Sequence, residues 1–182
     1  AWGCTLPLRY FGQFGKIIPR TRMVFLVGVT LLPAQLTRSV RGDKVATSYW
    51  VYVSNMYQSV TRNISITAEP RYMPEQSDPG SGRYFWAYKI EIVNDGEETV
   101  TLLSRHWIIT DGNGQVEEVR GPGVVGKQPL LRPGEHFEYT SGCVLKTPRG
   151  EMRGTYQMMA DDGTEFDVTI PPFTLSMPRV LH

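Results

Sequence analysis

Three observations predict an all-β fold. Apolar and polar residues alternate with a period of two over several short runs. Clusters of Gly, Asn, Asp and Pro separate those runs. No stretch sustains apolar residues at i, i+3, i+4 and i+7. Strands with one wet face, joined by turns without intervening helices, read as an antiparallel sandwich or barrel. About seven strands fit within residues 56–182.

The elements follow in chain order. Near 58–70, Val60, Ile64, Ile66 and Ala68 share one side of a single extended run, against Thr61, Asn63, Ser65 and Thr67. Residues 74–82 form a loop. Over 84–94, Tyr84, Trp86, Tyr88, Ile90 and Ile92 share a face opposed in part by Lys89 and Glu91, and Asn94-Asp95-Gly96 turns the chain. A strand near 98–111 ends at Asp111-Gly112-Asn113-Gly114, and another spans 115–120. The Gly/Pro-rich stretch 121–134 is expected to cross between sheets. In 135–145, Phe137 and Tyr139 oppose His136, Glu138 and Thr140. Pro148-Arg149-Gly150 and Asp161-Asp162-Gly163 reverse the chain before strands near 151–160 and 164–175, the latter with Phe166, Val168 and Ile170 on one face.

Composition narrows the function. The 182 residues, 41% hydrophobic and 20% charged, are too apolar for a disordered chain and long enough for one sizeable core. No apolar run approaches the roughly 20 residues of a spanning helix, so no membrane span is expected. The net charge of +1 hides an asymmetry: residues 1–55 carry +6, with Asp43 their one acid, and residues 56–182 carry −5. The acidic part argues against nucleic acid as a partner, because phosphate neutralisation needs a basic face. Cys4 and Cys143 cannot build a disulfide framework or a four-cysteine zinc site.

Residues 1–55 read as an N-terminal extension to a domain at 56–182. Arg20 and Arg22 precede the apolar run 23–32 (MVFLVGVTLL), as the basic and apolar parts of a secretory signal would. No small-x-small cleavage site follows, and the acid-poor composition also suits an organelle transit peptide. The favoured reading sets the segment apart from the core, as disordered or lying upstream of a true start at Met56. Localisation is then cytoplasmic, and organellar or exported only if the extension is genuine.

One motif points to a ligand. Gly121, Gly123 and Gly126 match GxGxxG, the spacing that lets backbone amides approach a phosphate. Pro129 and Pro133 prevent a long helix from following, which excludes a dinucleotide fold. A loop that holds a small anion, with Lys127 adding charge, stays open beside a purely structural one. His136 and Glu138 share a strand face as two metal ligands could, but a solvated face explains them, and no metal site is expected. His106 reads as a buried, hydrogen-bonded structural residue and Cys143 as a buried thiol. No nucleophile elbow, P-loop or zinc-hydrolase signature occurs, so no catalytic residue, no enzymatic activity and no cofactor are expected.

Several blocks then resemble a known family. They are Arg105-His106-Trp107-Ile108-Ile109-Thr110-Asp111, the stretch from Gly121 to Pro129, and the stretch from Pro133 through Glu135-His136-Phe137 to Gly142. Met152-Arg153-Gly154-Thr155-Tyr156-Gln157-Met158, Phe166-Asp167-Val168 and Pro171-Pro172-Phe173 follow in order. Over 56–182 the chain resembles the ApaG family. The resemblance implies a fibronectin type III-like (immunoglobulin-like) β-sandwich and a small cytoplasmic protein associated with cobalt resistance and magnesium efflux. Family members often begin with a segment like Met56-Tyr57-Gln58-Ser59, and related domains in F-box and polymerase-interacting proteins imply a binding role. The expectation is a β-sandwich that binds a protein partner. The alternative is a protein that binds phosphate, pyrophosphate or a nucleotide, with or without a divalent cation, at Gly121, Gly123, Gly126 and Lys127.

Overall fold

The computed structural model describes residues 16–19 and 56–177. The apolar run 23–32 and most of the basic residues of the extension lie outside the described residues. Among the described residues there are ten strands: β1 (Lys16–Pro19), β2 (Tyr57–Thr61), β3 (Ile64–Tyr72), β4 (Tyr84–Asn94), β5 (Val100–Asp111), β6 (Val116–Pro122), β7 (Leu130–Leu131), β8 (Glu135–Leu145), β9 (Arg149–Ala160) and β10 (Glu165–Ser176). They form two antiparallel sheets. One has the order β1-β8-β4-β3-β2 and the other β10-β9-β5-β6, with β7 pairing β5 beyond the end of β6. The expected antiparallel β-sandwich is thus the observed architecture, and the 121–134 connection does cross between the sheets.

The first expected strand is instead a hairpin. β2 and β3 pair with Thr61 opposite Ile64, and the two residues between them, Arg62 and Asn63, have φ of 47° and 61°. Positive φ at both central residues is the geometry of the tightest hairpin turn, which matches the strands' twist. Asn tolerates it; Arg62 is held by its guanidinium, 4.6 Å over the Phe166 ring. The turn resets the alternation, so Ile64, Ile66 and Ala68 are buried while Val60 is 62% exposed.

Elsewhere the period-two reading matches the burial. From β4, β3 and β8 come Trp86, Tyr88, Ile90, Ile92, Ile64, Ile66, Phe137 and Tyr139. They meet Leu102, Trp107, Ile109, Met152, Tyr156, Val168, Ile170 and Phe173 of the other sheet. Trp107 is central, its ring edge-on to those of Tyr88, Phe173 and Tyr156 at centroid distances of 5.6–6.3 Å. Phe85, on the opposite side of β4, is also fully buried. Gly142 makes room for it, since a Cβ there would lie 2.5 Å from the Phe85 ring.

The expected turns carry their own hydrogen bonds. Buried Asn94 donates from Nδ2 to the carbonyls of Glu98 and Leu131 and accepts from Gly96 N–H, so all its near groups are used. Asp111 Oδ1 accepts from the amides of Asn113 and Gln115. Residues 16–19, part of the segment set apart in the sequence reading, add β1 to the outer edge of β8, with Lys16 opposite Glu138 and Pro19 opposite Glu135.

Candidate functional site

The glycine motif lies where β5 is irregular. The β5–β9 register shifts between Leu102 and Ser104, which leaves Leu103 as the extra residue. Before the shift Leu102 faces the core; after it, Arg105, Trp107 and Ile109 do. An arginine is thereby turned inward, in register with buried Tyr156.

The 121–128 loop closes over this point. Leu103 O accepts from Gly123 N (2.8 Å) and from Gln128 Nε2 (2.7 Å). Arg105 Nη1 donates to Pro122 O at 3.0 Å and Gly123 O at 2.7 Å. Val124 and Lys127 exchange N–H···O bonds of 2.8 and 2.9 Å around Val125 and Gly126, whose φ values are 44° and 75°. A β-branched residue with positive φ is a genuine outlier.

Of the four predicted ligand residues, Gly121 lies in the last stretch of β6 pairing, opposite Arg105, Gly123 is the buried pivot, and Gly126 and Lys127 are exposed on the tight turn. Three loop amides, those of Gly123, Val124 and Lys127, are donated to protein carbonyls. The loop's own carbonyls converge on a guanidinium. Its inner face is therefore built around the half-buried Arg105 cation.

Near Arg105 two tyrosine hydroxyls hydrogen-bond to each other. Tyr139 Oη and Tyr156 Oη, from facing sheets, are 2.6 Å apart and buried. Burial, chiefly, holds both phenols well above their ordinary value, and the Arg105 charge opposes this only in part. Both remain neutral hydroxyls through the physiological range. Sequence reading missed this cluster. The available signal was the inward parity of Tyr139 and of Arg105 through Ile109, and the bulge at Leu103 obscured it.

His106 and His136 lie outside the core. His106 Nε2 is 2.8 Å from Glu118 Oε2 across the β5–β6 pair, on the outer face and half-exposed rather than buried. That bond, then Arg120, pulls the Glu118 carboxyl below its ordinary value. Glu138, beside His136 in sequence, pairs with Lys89 at 2.8 Å, and this contact raises the Lys89 ammonium's pKa. Among the described residues no group of three His, Cys, Asp or Glu side chains is placed to hold a metal. Cys143 is buried. No described helix is long and apolar enough to cross a membrane.

Two antiparallel sheets closed on one aromatic core, with a glycine loop locked on a half-buried arginine, define a β-sandwich domain. Residues 74–160 match the family model described as ApaG domain (DUF525). The chain is 56% identical over 125 residues to Protein ApaG of Xanthobacter autotrophicus, covering 69% of this chain and 96% of that one. It is 60% identical over 119 residues to Protein ApaG of Dechloromonas aromatica, covering 65% and 94%. The solved structure of an ApaA protein from Bordetella pertussis superposes with a TM-score of 0.63 at 56% identity, over 64% of this chain and 95% of that one. The chain belongs to the ApaG family.

Proposed function

We propose that the domain at 56–182 is a non-enzymatic binding module, working in the cytoplasm, that takes a protein partner by strand addition at a sheet edge. The observation that carries this reading is the β1–β8 pairing: the outer edge of β8 accepts a segment more than a hundred residues away in sequence as an added antiparallel strand. Strand addition of this kind draws affinity from main-chain hydrogen bonds and specificity from alternate side chains. Any influence on cobalt resistance or magnesium efflux would then run through the partner.

The alternative places phosphate, pyrophosphate or a nucleotide, with or without a divalent cation, at 121–126. Left-handed Val125 favours it, because backbone strain clusters at ligand sites. The internally committed amides of Gly123, Val124 and Lys127 weigh against it. Thermal unfolding against Mg²⁺, Co²⁺, pyrophosphate and adenine dinucleotides separates the two. A ligand at 100 times its Kd adds about 2.7 kcal/mol, a shift of several degrees that a recruitment module does not show. Robust phosphoester hydrolysis abolished by a point substitution would overturn the non-enzymatic reading.

A further inference from the structure

We infer that the domain pairs with a second copy of itself: the outer edge of β6 is a self-complementary strand that joins two chains about a two-fold axis at Val119. The inference concerns the other sheet and stands apart from the partner reading at β8.

β6 ends its sheet, with β5 on one side and, among the described residues, no strand on the other. β7 pairs β5 beyond the end of β6 and leaves that outer side uncovered. Two bonds that bracket the β5–β6 pair show which main-chain groups face outward. Asp111 N donates to Gln115 O and Gly123 N to Leu103 O, in the same register that sets Trp107 opposite Val119. Antiparallel strands commit the main chain of alternate residues to one neighbour, so Gln115, Glu117, Val119 and Gly121 bond to β5. Val116, Glu118 and Arg120 therefore turn their N–H and C=O groups away from it. Pro122 has the same outward parity, a position that suits a residue with no N–H to give.

Such an edge meets a copy of itself in few registers, and charge selects one. Glu118 lies on the outer face of the sheet beside His106, and Arg120 joins it there, while Val119 packs toward the core. A two-fold axis at Val119 sets Glu118 of each copy opposite Arg120 of the other, and Val116 opposite Pro122. A shift by one residue sets outward main-chain groups against inward ones. A shift by two sets Glu118 against Glu118 or Arg120 against Arg120, which is destabilising. In the favoured register Glu118 N donates to Arg120 O of the second copy and Arg120 N to its Glu118 O, and symmetry repeats both bonds. Pro122 O is already held by Arg105 Nη1 at 3.0 Å, so the ladder stops there.

Both charged side chains keep capacity for this contact. Within one chain Glu118 Oε2 accepts from His106 Nε2 at 2.8 Å and from Arg120 Nη2 at 3.2 Å. Both bonds end on one carboxylate oxygen, and Arg120 uses one donor of its guanidinium fork. The Glu118 and Arg120 side chains are 53% and 68% exposed. Across the axis the four charges alternate in sign both along and between the strands, so bonds within a chain and bonds between chains act together. Val116, a large apolar side chain exposed in one chain, gains Pro122 as cover in two. The same patch serves on both copies, as a closed dimer requires, and the two sheets become one.

The test is sedimentation equilibrium of the full chain from about 10 µM to about 1 mM, because a seven-residue strand on each side makes a small, weak interface. The variants are Glu118→Arg and Arg120→Glu, each alone and mixed, with circular dichroism to show that they fold. Wild type is expected to dimerise. Each single variant sets like charges opposite in both rungs and is expected to self-associate at least about tenfold more weakly. An equimolar mixture of the two is expected to dimerise again, because every Arg then meets a Glu. Amide exchange reads the contact without any substitution: at Glu118 and Arg120 it slows about twofold or more across the concentration range, and at Val119, already bonded to β5, it does not change. This measurement decides alone if the variants do not fold. A chain that stays monomeric to about 1 mM overturns the inference. So does self-association that the single variants leave unchanged, or that their mixture does not restore. Dimers whose Glu118 and Arg120 amides gain no protection overturn it too, since the copies then meet elsewhere.

Discussion

Replacing Gly123 with alanine tests how the glycine loop is built. The backbone at Gly123 has φ +53°, and a Cβ there would lie 2.1 Å from Lys127 O and 2.8 Å from Lys127 C. Carbon and carbonyl oxygen normally approach no closer than about 3.3 Å, so the Lys127 peptide must move by about 1 Å. Lys127 O accepts from Val124 N at 2.8 Å, and its peptide belongs to the same turn as Lys127 N→Val124 O at 2.9 Å. Movement on that scale breaks both bonds. Left-handed alanine costs about 1–2 kcal/mol, and each lost hydrogen bond about 1 kcal/mol. Disturbance of the Arg105 contact at Gly123 O adds to this. The sum is about 3–5 kcal/mol, which lowers Tm by about 10–20 °C for a domain of this size. Gly126 is the control. Its φ is +75°, but nothing lies within 4 Å of its Cβ position, so Gly126→Ala costs about 1 kcal/mol and about 4 °C. Equilibrium urea unfolding of both variants beside wild type measures the difference. Gly123→Ala within about 1 kcal/mol of wild type, or no better separated from Gly126→Ala than that, would refute the argument. Since Gly123→Ala damages the fold, loss of ligand binding in it would carry no information about phosphate; Gly126→Ala and Lys127→Ala are the informative variants.

Other expectations follow from the same geometry. Tyr156→Phe leaves the buried Tyr139 hydroxyl without its partner and costs about 1–3 kcal/mol, whereas Tyr139→Phe/Tyr156→Phe costs less than the two single changes together; a double-mutant cycle in urea reads the coupling. Both phenols have folded pKa values raised above the unfolded value near 10, so their contribution is full below that pH and is lost as pH rises past it. Stability should fall above pH 10 by up to about 1.4 kcal/mol per pH unit for each tyrosine, and the double phenylalanine variant should lack that fall. Glu118 runs the other way: its depressed pKa gives a contribution present above the ordinary carboxylate range and lost as pH falls through the folded value, and His106→Ala should flatten that part of the acid unfolding curve. Gly154→Ala should not yield a folded protein, because its Cβ would fall 2.0 Å from His106 O between two central strands; circular dichroism of the purified variant checks this.

The sheets were legible because burial on a strand has a period that sequence displays directly. Tyr84 to Ile92 alternate against Lys89 and Glu91, and that face is the buried one. What failed to show were the places where parity changes. The left-handed pair Arg62-Asn63 converts one apparent strand into a hairpin and sends Val60 to the surface. Leu103 does the same within β5, which turns Arg105 inward and hides the arginine–tyrosine cluster from any reading that counts by twos. The glycine motif was visible as letters, but spacing does not show whether a loop's amides point outward to a ligand or inward to carbonyls. That choice is made by Leu103 O and Arg105, which stand about twenty residues earlier in the chain. β1 could not be read at all, since a four-residue strand takes its stability from the edge it joins rather than from its own pattern.

The contacts between β2 and β10 bear on how the domain is made. Ser59 Oγ donates to Thr169 O at 2.6 Å and Thr169 N donates to Thr61 Oγ1 at 3.3 Å, across 110 and 108 residues of chain. The first strand of the domain is thus stitched to the last. Such non-local closure places the domain among the slow folders, in the range of about milliseconds to seconds. During synthesis the β2–β3 hairpin emerges first, and it waits with one flank unsealed until β10 has left the ribosome. In that interval Ile64 and Ile66 lack their final cover. At translation rates of about 5–20 residues per second the interval lasts about 5–20 s, longer than folding itself, and it is the stage at which this sandwich is most exposed to wrong pairing.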